Sequence, residues 1–507
     1  MNHTKRFLSL TAAAAMGLSL LTAFPTPAHA ALTDDVYTAG GYTSTERTLM
    51  RKIKETITGR KTTYLDISSY NVSLEDLKLL IAQVYFAEPE MFYLNHNKLS
   101  VKVQGLDHVI AYHPLYLYDE DTTAEMTARI ERERDRITSI IDDDWTDVEK
   151  IIYIHDTLVS ETEYHVSDDK AAGRDLYACL VDHKCVCVGY ALAFEYFMDY
   201  FGIPNITVTS EDHIWNMVKV DGEWYFVDCT WDDLTDTSPN TVTHFTLLNN
   251  EDEYKAAAPE NIPWDYALPS DSDKFTREYW HMSIARLAYL DGYWYYPLYG
   301  YLVKYSFRDG SFTSVADLPL EWRGEEGLWN LSFSKVQAYN GCIYYSTTDT
   351  IYRYDPKKNE STRVYSPKAE NDYQIYDFAL ESSGGRDVLT VYLSDDYMKT
   401  DKQVKRVSLK AEGGTSEKLD RGLSVRYADG IVNVSWDRQS GADGYYLYRY
   451  DRGTKKISRI WSTSDGTRTS VRFKRTSRDN NCYYAIKVSN GGVLSAYSAW
   501  KAAISNK

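Results

Sequence analysis

The spacing of apolar residues predicts helices in the first part of the chain. Glu46 to Thr58 follows a helical period and stops at Gly59, a residue type that commonly ends helices. Ser73 precedes a second helical pattern, whose apolar positions are Leu74, Leu77, Ile81 and Val84. Two Thr-x-x-Glu capping boxes predict two more helix starts, at Thr122–Glu125 and Thr146–Glu149. We expect each helix to bury one apolar face.

After about Pro269 the pattern changes to short strands rich in tyrosine. The segment Leu290–Tyr296 recurs as Tyr339–Tyr345, and a weaker third copy includes Val404–Val407. Strands bounded by turns and repeated at roughly fifty-residue intervals are typical of propeller blades. Three copies are fewer than the four or more blades of a closed propeller, which leaves an open stack, or completion by other segments, as alternatives.

The last part of the chain predicts a β-sandwich. Val432–Trp436, Gly444–Tyr450 and Tyr483–Ser489 alternate apolar and polar residues and are separated by turn residues. They resemble strands of fibronectin type III modules, with Trp436 as the core tryptophan and Ser495–Ser498 in the last strand. The resemblance implies a module that spaces or tethers other domains.

The first thirty residues predict a leader for export. Lys5 and Arg6 precede an apolar stretch that begins at Phe7, and Ala28-His29-Ala30 is a small-x-small cleavage signal, so the mature chain would begin at Ala31. The apolar stretch is short for a membrane span of about 20 residues, which disfavours an N-terminal membrane helix. We predict a secreted protein without an integral membrane segment once the leader is removed.

Composition is that of a folded multidomain protein. The 507 residues are 43% hydrophobic and 25% charged, and this length predicts two to four domains. The net charge of −17 disfavours nucleic acid as a partner, because phosphate would be repelled.

Four of the six cysteines lie close together in sequence: Cys179, Cys185, Cys187 and Cys229. Cys185 and Cys187 have one residue between them, whereas paired zinc ligands usually have two to four, so we predict no metal and no cofactor. The disulfide pairing among Cys179, Cys185 and Cys229 is left open.

Cys187 stands where a helix is predicted to begin, and Gly202-Ile203-Pro204 predicts where that helix ends. A thiol at a helix start is exposed to the positive end of the helix dipole and to free N–H groups, which favour the thiolate and could hold an oxyanion. We expect Gly189 to keep bulk away from the Cys187 sulfur. The alternative for Cys187 is plain core packing.

A hairpin supplies the base and its orienting group. Asp221-Gly222 is a strong two-residue turn signal, so Val220 should pair with Glu223. Counting outward pairs Asp228 with Trp215 and Thr230 with His213. His213 and Asp228 are then diagonal neighbours on one face, about 7–8 Å apart and within side-chain reach. This parity predicts a triad of Cys187, His213 and Asp228, while Cys229 should pack behind the sheet.

His155 lies on the apolar face of the helix after Thr146. A lone histidine on such a face is usually a satisfied packing residue, and we favour this interpretation over a catalytic one.

These motifs together resemble the transglutaminase-like superfamily of papain-related cysteine enzymes, especially its bacterial secreted branch. The motifs are Ile154-His155-Asp156, Cys187-x-Gly189-Tyr190-Ala191, His213-x-Trp215-Asn216-x-Val218 and Asp221-Gly222-x-Trp224-Tyr225-x-Val227-Asp228. The resemblance implies a papain-like core in which Cys187 attacks an amide carbonyl, His213 shuttles the proton and Asp228 orients the imidazole. Ile214 departs from the alanine of many relatives. Thr243-His244-Phe245 and the residues after it resemble the strand that closes the domain.

The preferred function is a secreted cysteine hydrolase that acts on peptide or amide bonds through a thioester acyl-enzyme. One alternative is a transglutaminase that crosslinks or deamidates proteins. The other is a non-catalytic surface protein that binds glycan or protein and retains a vestigial core. The expected partner is a protein or peptide substrate, with cell-wall peptide as one candidate.

We predict an α+β multidomain architecture. Its segments are a signal peptide at 1–30, an α/β N-terminal region at 31–144, a transglutaminase-like catalytic domain at 145–268, a Tyr-rich and propeller-like β-repeat region at 269–420, and a fibronectin type III-like domain at 421–507.

Overall fold

The computed structural model describes residues 29–30 and 42–505. The residues left out of the second range are 97, 168–172, 211, 234–238, 260–267, 299, 320, 325–326, 331–332, 367–372, 384–385, 395–402, 409–422, 429, 440, 452–455, 477–478, 480–481, 491–492, 495–500 and 503. The chain divides into two compact units. The first comprises the residues up to Arg136 with Asp147–Thr237 and Thr241–Ile284, and the second comprises Ile137–Thr146, Ser238–Asn240 and the residues from Ala285 onward.

The first unit combines helices with two antiparallel sheets and a parallel pair of short strands, β5 (Glu163–Tyr164) and β6 (Lys184–Cys185). Its helices are α1 (Ser44–Thr58), α2 (Leu74–Phe86), α3 (Glu120–Ile137), α4 (Asp147–Glu161), α5 (Leu176–Leu180), α6 (Cys187–Phe201), α7 (Cys229–Asp232) and α8 (Glu251–Ala257). Its strands are β1 (His29–Ala30), β2 (Leu65–Asp66), β3 (Ser100–Gln104), β4 (His108–His113), β5 (Glu163–Tyr164), β6 (Lys184–Cys185), β7 (Asn205–Thr209), β8 (Ile214–Val220), β9 (Glu223–Val227) and β10 (Leu247–Asn249).

Side-chain caps fix several helix starts. Ser73 forms a capping box with Asp76 at the start of α2, as its position predicted. The prediction that Thr122 opens α3 is wrong, because α3 begins at Glu120 and the Asp119 carboxylate accepts the Thr122 N–H at 2.8 Å. A carboxylate at this position satisfies a free N–H group and complements the helix dipole, so it competes well with threonine.

The central sheet has the strand order β1-β7-β8-β9-β10. Asp221 and Gly222 both have positive φ, which the tight hairpin turn requires, and Val220 pairs with Glu223 as predicted. The predicted pairing of Asp228 with Trp215 is wrong: β9 ends at Val227, and Asp228 leaves the sheet to cap α7.

Two neighbouring predictions also change. Cys229 is buried as the first residue of α7, not as a strand residue behind the sheet. The closing strand, predicted from Thr243, begins only at Leu247 as β10.

The start of α6 lies in the main core of this unit. Cys187, Val188 and Ala191 pack with Ile214 of β8. The same core includes residues of α1 and α2, namely Leu49, Ile53, Leu77, Ile81 and Val84. The helices before residue 87 therefore support the helix that carries the predicted nucleophile. The domain boundary at 144 and 145 stays a prediction.

The second unit consists largely of strands. They are β11 (Ala288–Leu290), β12 (Tyr293–Leu298), β13 (Tyr301–Tyr305), β14 (Phe312–Asp317), β15 (Glu321–Gly324), β16 (Gly327–Asn330), β17 (Val336–Tyr339), β18 (Cys342–Ser346), β19 (Ile351–Asp355), β20 (Glu360–Tyr365), β21 (Gln374–Ser383), β22 (Arg386–Ser394), β23 (Gln403–Ser408), β24 (Ser424–Ala428), β25 (Ile431–Ser435), β26 (Gly444–Asp451), β27 (Lys456–Thr463), β28 (Ser470–Lys474), β29 (Cys482–Asn490), β30 (Val493–Leu494), β31 (Lys501–Ala502) and β32 (Ile504–Ser505).

The tyrosine repeats form successive antiparallel sheets. The first copy lies in the four-stranded sheet β11-β12-β13-β14 and the second in β17-β18-β19-β20. Their hairpin turns, Asp291-Gly292 and Asn340-Gly341, have positive φ at all four residues, which explains why the motif repeats. The third copy lies in β23 of the sheet β21-β22-β23. The propeller-like arrangement of these sheets stays a prediction.

The C-terminal residues form the expected β-sandwich. One sheet has the order β28-β25-β24-β32 and the other β27-β26-β29-β30. Trp436 lies in the core between them with Tyr445 and Tyr484. The predicted strand at Ser495–Ser498 lies outside the described residues.

The predicted leader also lies outside the described residues, apart from His29–Ala30, which pair with β7. Among the helices in the described part of the chain, none has the length and apolar character that crossing a membrane requires.

Candidate active site

The structure brings the three predicted site residues together in the first unit. His213 Nε2 lies 2.7 Å from Oδ2 of Asp228. The Cys187 thiol lies near the His213 imidazole and contributes to the raised pKa of that ring. Because Nε2 faces Asp228, Nδ1 is the ring nitrogen available to the sulfur. The imidazole of the base thus bonds the carboxylate and lies beside the nucleophile.

Cys187 is the first residue of α6 and is 3% exposed. Val186 precedes it in an extended conformation, and no side chain caps the helix. The Gly189 N–H donates to the Val186 carbonyl at 2.9 Å, and Cys187 and Val188 stand at the positive end of the helix dipole, which favours an oxyanion there.

The environment of His213 favours the imidazolium. Burial by itself favours the neutral ring, but the charge of Asp228 and hydrogen bonds to Asp228 and Cys187 raise the pKa of His213 to about 10. A protonated imidazole beside the sulfur matches the thiolate-imidazolium pair of cysteine enzymes.

Asp228 is held by two further donors. The Tyr254 hydroxyl donates to Oδ2 at 2.8 Å, and the Trp231 N–H donates to Oδ1 at 3.1 Å. Asp228 is 1% exposed, so these bonds replace the water that a buried carboxylate would otherwise need. Sequence reasoning did not find Tyr254, because α8 is remote in sequence and carries no motif.

Aromatic rings fix the orientation of the imidazole. Trp215 stacks on His213 with ring centroids 5.4 Å apart and planes 15° apart, and it also stacks on Tyr254 at 5.4 Å and 19°. Trp215 is 1% exposed and belongs to the core under the sheet. The Trp215 ring lies between His213 and Tyr254, which bond the same carboxylate. It therefore restricts both side chains to the orientations in which they bond Asp228.

A second buried network contains the histidine that the sequence assigned to packing. His155 Nδ1 lies 3.1 Å from Asp156 Oδ1, and Nε2 lies 3.1 Å from Asp232 Oδ2. His244 Nε2 lies 2.9 Å from the same Asp156 oxygen. All four side chains are at most 1% exposed. His155 is therefore satisfied, as predicted, but by charged partners rather than by neutral packing.

Charge explains the protonation of this network. Burial alone would lower the pKa of His155, but hydrogen bonds to Asp156 and Asp232 and their charges raise it to about 9. Burial favours the neutral acid at Asp232, yet its bonds to His155 and the charges of His155 and His244 hold its pKa below the usual range.

A metal does not fit this cluster well. The ligand atoms of His155, Asp156 and His244 lie within 4.8 Å of one another. With both ring nitrogens directed at carboxylates, His155 is a double donor and offers no lone pair to a cation. The arrangement is better described as an ion-pair network.

Thr246 connects the ion-pair network to the candidate triad. Its hydroxyl lies 2.9 Å from Asp232 Oδ2 and 3.0 Å from the Asp228 carbonyl oxygen, and the Asp228 N–H donates to the Thr246 carbonyl at 3.2 Å. The network thus anchors the backbone of the residue that orients His213.

The other cysteines of the first unit, Cys179, Cys185 and Cys229, are buried free thiols. Burial is the largest cause of the raised pKa of the Cys185 thiol, and its interaction with Cys179 is the next largest. Of the pairings left open by the sequence, the structure places Cys179 in contact with Cys185.

The predicted reason for Gly189 is wrong. A Cβ at residue 189 would lie 2.5 Å from Cys185 Cβ and 2.7 Å from Cys185 Sγ, so the glycine makes room for Cys185 instead of Cys187. The backbone of α6 passes over Cys185, which sequence spacing does not reveal.

Tyr164 is a site residue that the sequence did not suggest. It pairs in register with Cys185, two residues before Cys187, and is half-buried. Burial raises its pKa, and the proximity of Cys187 is the next largest cause. The phenol is therefore a candidate donor near Cys187.

Comparison with known proteins gives distant matches. No protein-family model matches the chain. The mouse kyphoscoliosis peptidase is 26% identical over 176 residues, which cover 29% of this chain and 26% of that protein. The human kyphoscoliosis peptidase is 24% identical over 216 residues, which cover 37% of this chain and 31% of that protein. The chain thus matches about a quarter to a third of the length of these relatives.

Two solved structures are similar to parts of the chain. A structure described as a TGase covers 32% of this chain and 48% of its own, at 14% identity and a TM-score of 0.20. A Fn3-like protein from Clostridium thermocellum covers 17% of this chain and 90% of its own, at 21% identity and a TM-score of 0.15. The chain is a multidomain protein with distant similarity to transglutaminase-like peptidases.

Proposed function

We propose that the protein is a secreted cysteine hydrolase that cleaves peptide or amide bonds with Cys187, His213 and Asp228. The observation that carries the proposal is the position of the His213 imidazole, which lies beside the Cys187 thiol and has Nε2 2.7 Å from Asp228 Oδ2. A nucleophile, a base and an orienting carboxylate in this order are the parts that acyl transfer requires.

The reaction would begin with attack of the Cys187 thiolate on a substrate carbonyl carbon. A C–S bond forms, and the carbonyl oxygen takes the negative charge beside the first N–H groups of α6. The His213 imidazolium then gives its proton to the leaving amine as the C–N bond breaks, which leaves a thioester on Cys187.

Water would complete the cycle. The neutral His213 removes a proton from water, hydroxide adds to the thioester carbonyl, and the carboxylic acid leaves as the Cys187 thiolate and the His213 imidazolium re-form. Asp228 keeps its charge throughout and stabilises the imidazolium, while the Tyr254 hydroxyl and Trp231 N–H hold its carboxylate in place.

A primary amine in place of water would give crosslinking, and water acting on a glutamine thioester would give deamidation. Mass spectrometry of casein incubated with the purified protein and a primary amine distinguishes these outcomes. Peptide fragments support the proposal, whereas amine incorporation or deamidation without cleavage would replace it with the transglutaminase alternative.

A matched pair of cysteine variants tests the nucleophile. We expect Cys187→Ala to abolish cleavage and rapid labelling by iodoacetamide, because it removes the thiolate. Cys482→Ala removes a remote thiol and should leave both unchanged. Cleavage that survives in Cys187→Ala would overturn the proposed mechanism.

Export is also part of the proposal. The leader pattern that ends in Ala28-His29-Ala30 supports it. N-terminal sequencing of the protein collected from the medium of a secreting host should give Ala31 as the first residue. Retention of the uncleaved leader in the cells would contradict it.

A further inference from the structure

Charge is distributed very unevenly along the chain. Residues 421–507 contain 16 Lys and Arg against 6 Asp and no Glu, a net charge of +10 in a chain whose total is −17. The first 420 residues therefore carry −27. A module whose charge opposes that of the rest of the chain needs a reason, because solubility does not require it.

The β-sandwich formed by this segment has a groove beside its edge strands. β27 lies at the edge of one sheet and β28 at the edge of the other. The groove has a volume of about 540 Å³ and includes Arg468, Arg472, Lys474, Trp461 and Phe473 among its lining residues. Cations and aromatic rings thus share one concave surface.

Three of the lining cations are available to a ligand. The side chains of Arg468, Arg472 and Lys474 are exposed, and within the described residues none lies in an ion pair with a carboxylate. Arg468 Nε donates to the Ser470 carbonyl at 2.9 Å, and Arg472 Nε donates to Asn433 Oδ1 at 3.3 Å. These bonds orient each guanidinium while its terminal N–H groups remain for an anion.

A fourth cation borders the groove in a fixed position. Arg449 is 20% exposed and pairs with the buried carboxylate of Asp479 at 3.2 Å. Asp479 in turn accepts bonds from Thr476 and Tyr484, so the far wall of the groove is rigid.

Aromatic residues give the groove an apolar surface. Trp461 is half-buried and contacts Trp436 of the sandwich core with ring centroids 5.9 Å apart. Phe473 is also half-buried, and its ring centroid lies 5.9 Å from that of Tyr484. Partly exposed rings anchored on a core are suited to stacking against flat apolar faces, such as those of sugar rings.

We propose that the C-terminal β-sandwich binds an anionic glycan in this groove, with Arg468, Arg472 and Lys474 recognising carboxylate, sulfate or phosphate groups and Trp461 contacting a sugar face. A glycan fits better than nucleic acid because the leader pattern predicts a location outside the cell. The module would tether the rest of the chain to a polyanionic surface.

Binding by the full-length chain tests this proposal. Surface plasmon resonance should detect binding to polygalacturonate, which carries carboxylates, or to heparin, which carries sulfates. Which of the two binds more tightly identifies the anion. Neutral dextran should not bind, and binding should weaken as NaCl increases, because ion pairing carries the affinity.

Two pairs of substitutions separate the groove from the general charge. We expect Arg472→Gln with Lys474→Gln to weaken binding by about tenfold or more, since two direct charged contacts are lost. Arg438→Gln with Arg459→Gln removes the same charge from exposed positions that do not line the groove, and should weaken binding by less than about threefold. Trp461→Ala should weaken glycan binding without changing its salt dependence.

Several results would overturn the proposal. Equal losses from both charge-matched pairs would mean that net charge alone attracts the polymer. If dextran bound as tightly as polygalacturonate, anionic groups would not contribute to recognition. Tighter binding to single-stranded DNA than to either glycan would assign the groove to nucleic acid. Cys187→Ala should bind glycan like the unmodified protein, so this test is independent of the proposed hydrolase activity.

Discussion

His213 and Tyr254 hydrogen bond to the same carboxylate oxygen, Oδ2 of Asp228, at 2.7 and 2.8 Å. The phenol and the imidazole therefore share one acceptor, and Trp215 stacks on both rings. Asp228 is fixed by a residue outside the predicted triad, and the orientation of His213 depends on it.

Removal of the shared hydrogen bond should reduce activity more than it reduces stability. Tyr254→Phe keeps the stacked ring but leaves Asp228 with one donor fewer, and we expect kcat/KM to fall roughly tenfold. Tyr225→Phe is the matched control, since it loses a buried tyrosine's bond to Ser272 away from the triad. Steady-state kinetics and thermal melts of both variants give the comparison. Equal activity in the two variants would mean that Tyr254 only packs.

The alkaline limit of activity should follow the imidazolium of His213. Because its pKa is raised to about 10, chiefly by Asp228 against the opposing effect of burial, kcat/KM should fall as pH rises through about 10. In Asp228→Asn burial would dominate, so the alkaline limb should move to lower pH and the maximal rate should drop. Asp221→Asn, which changes an exposed carboxylate in the hairpin turn, should keep the original profile. An unshifted limb in Asp228→Asn would assign it to another group.

The His155 ion pairs should make stability depend on pH. The pKa of His155 is about 9 in the folded chain, above the unfolded value near 6.5, so its contribution is complete below pH 6.5 and is lost as pH rises through 9. The lowered pKa of Asp232 gives the opposite dependence: its contribution is present above about pH 4 and is lost as pH falls further. Urea unfolding between pH 5 and 10 measures the first effect.

Replacement of His155 provides the corresponding variant. His155→Gln leaves buried Asp232 without its paired imidazole and Asp156 with His244 alone, and the free energy of unfolding should fall by about 3 kcal/mol or more at pH 6. The difference from the unmodified protein should shrink toward pH 10. His165→Gln is the control, because that imidazole is half exposed. A stability difference that does not vary with pH would refute the charged state of His155.

Gly189 and Cys185 should be energetically coupled. Gly189→Ala places a methyl group 2.5 Å from Cys185 Cβ and should destabilise the protein by about 1–3 kcal/mol. Cys185→Gly removes the opposing atoms, so the double variant should lose less stability than the two single variants together. Purely additive losses in thermal unfolding would contradict the close approach.

Local signals in the sequence determined much of the first unit. Asp221-Gly222 specified the turn and the register of its hairpin, because only a few backbone conformations connect two strands with two residues. Helix-start chemistry and the Gly202-Ile203-Pro204 stop located α6. The parity count for His213 and Asp228 assumed a strand pairing that Asp228 does not make. Turn residues and side-chain alternation likewise gave the strands of the C-terminal sandwich.

Only the tertiary structure decided how these residues are held. Asp228 leaves the hairpin to cap α7, Tyr254 reaches it from α8, and His155 meets Asp232 across 77 residues of chain. The same holds for Cys185, which occupies the space beside Gly189. It also holds for the groove, which gathers Trp461 of β27, Arg472 of β28 and Arg468 of the segment between them. Sequence patterns record contacts between near neighbours and the preference of one face for burial. Contacts between distant segments depend on packing, which no local period encodes.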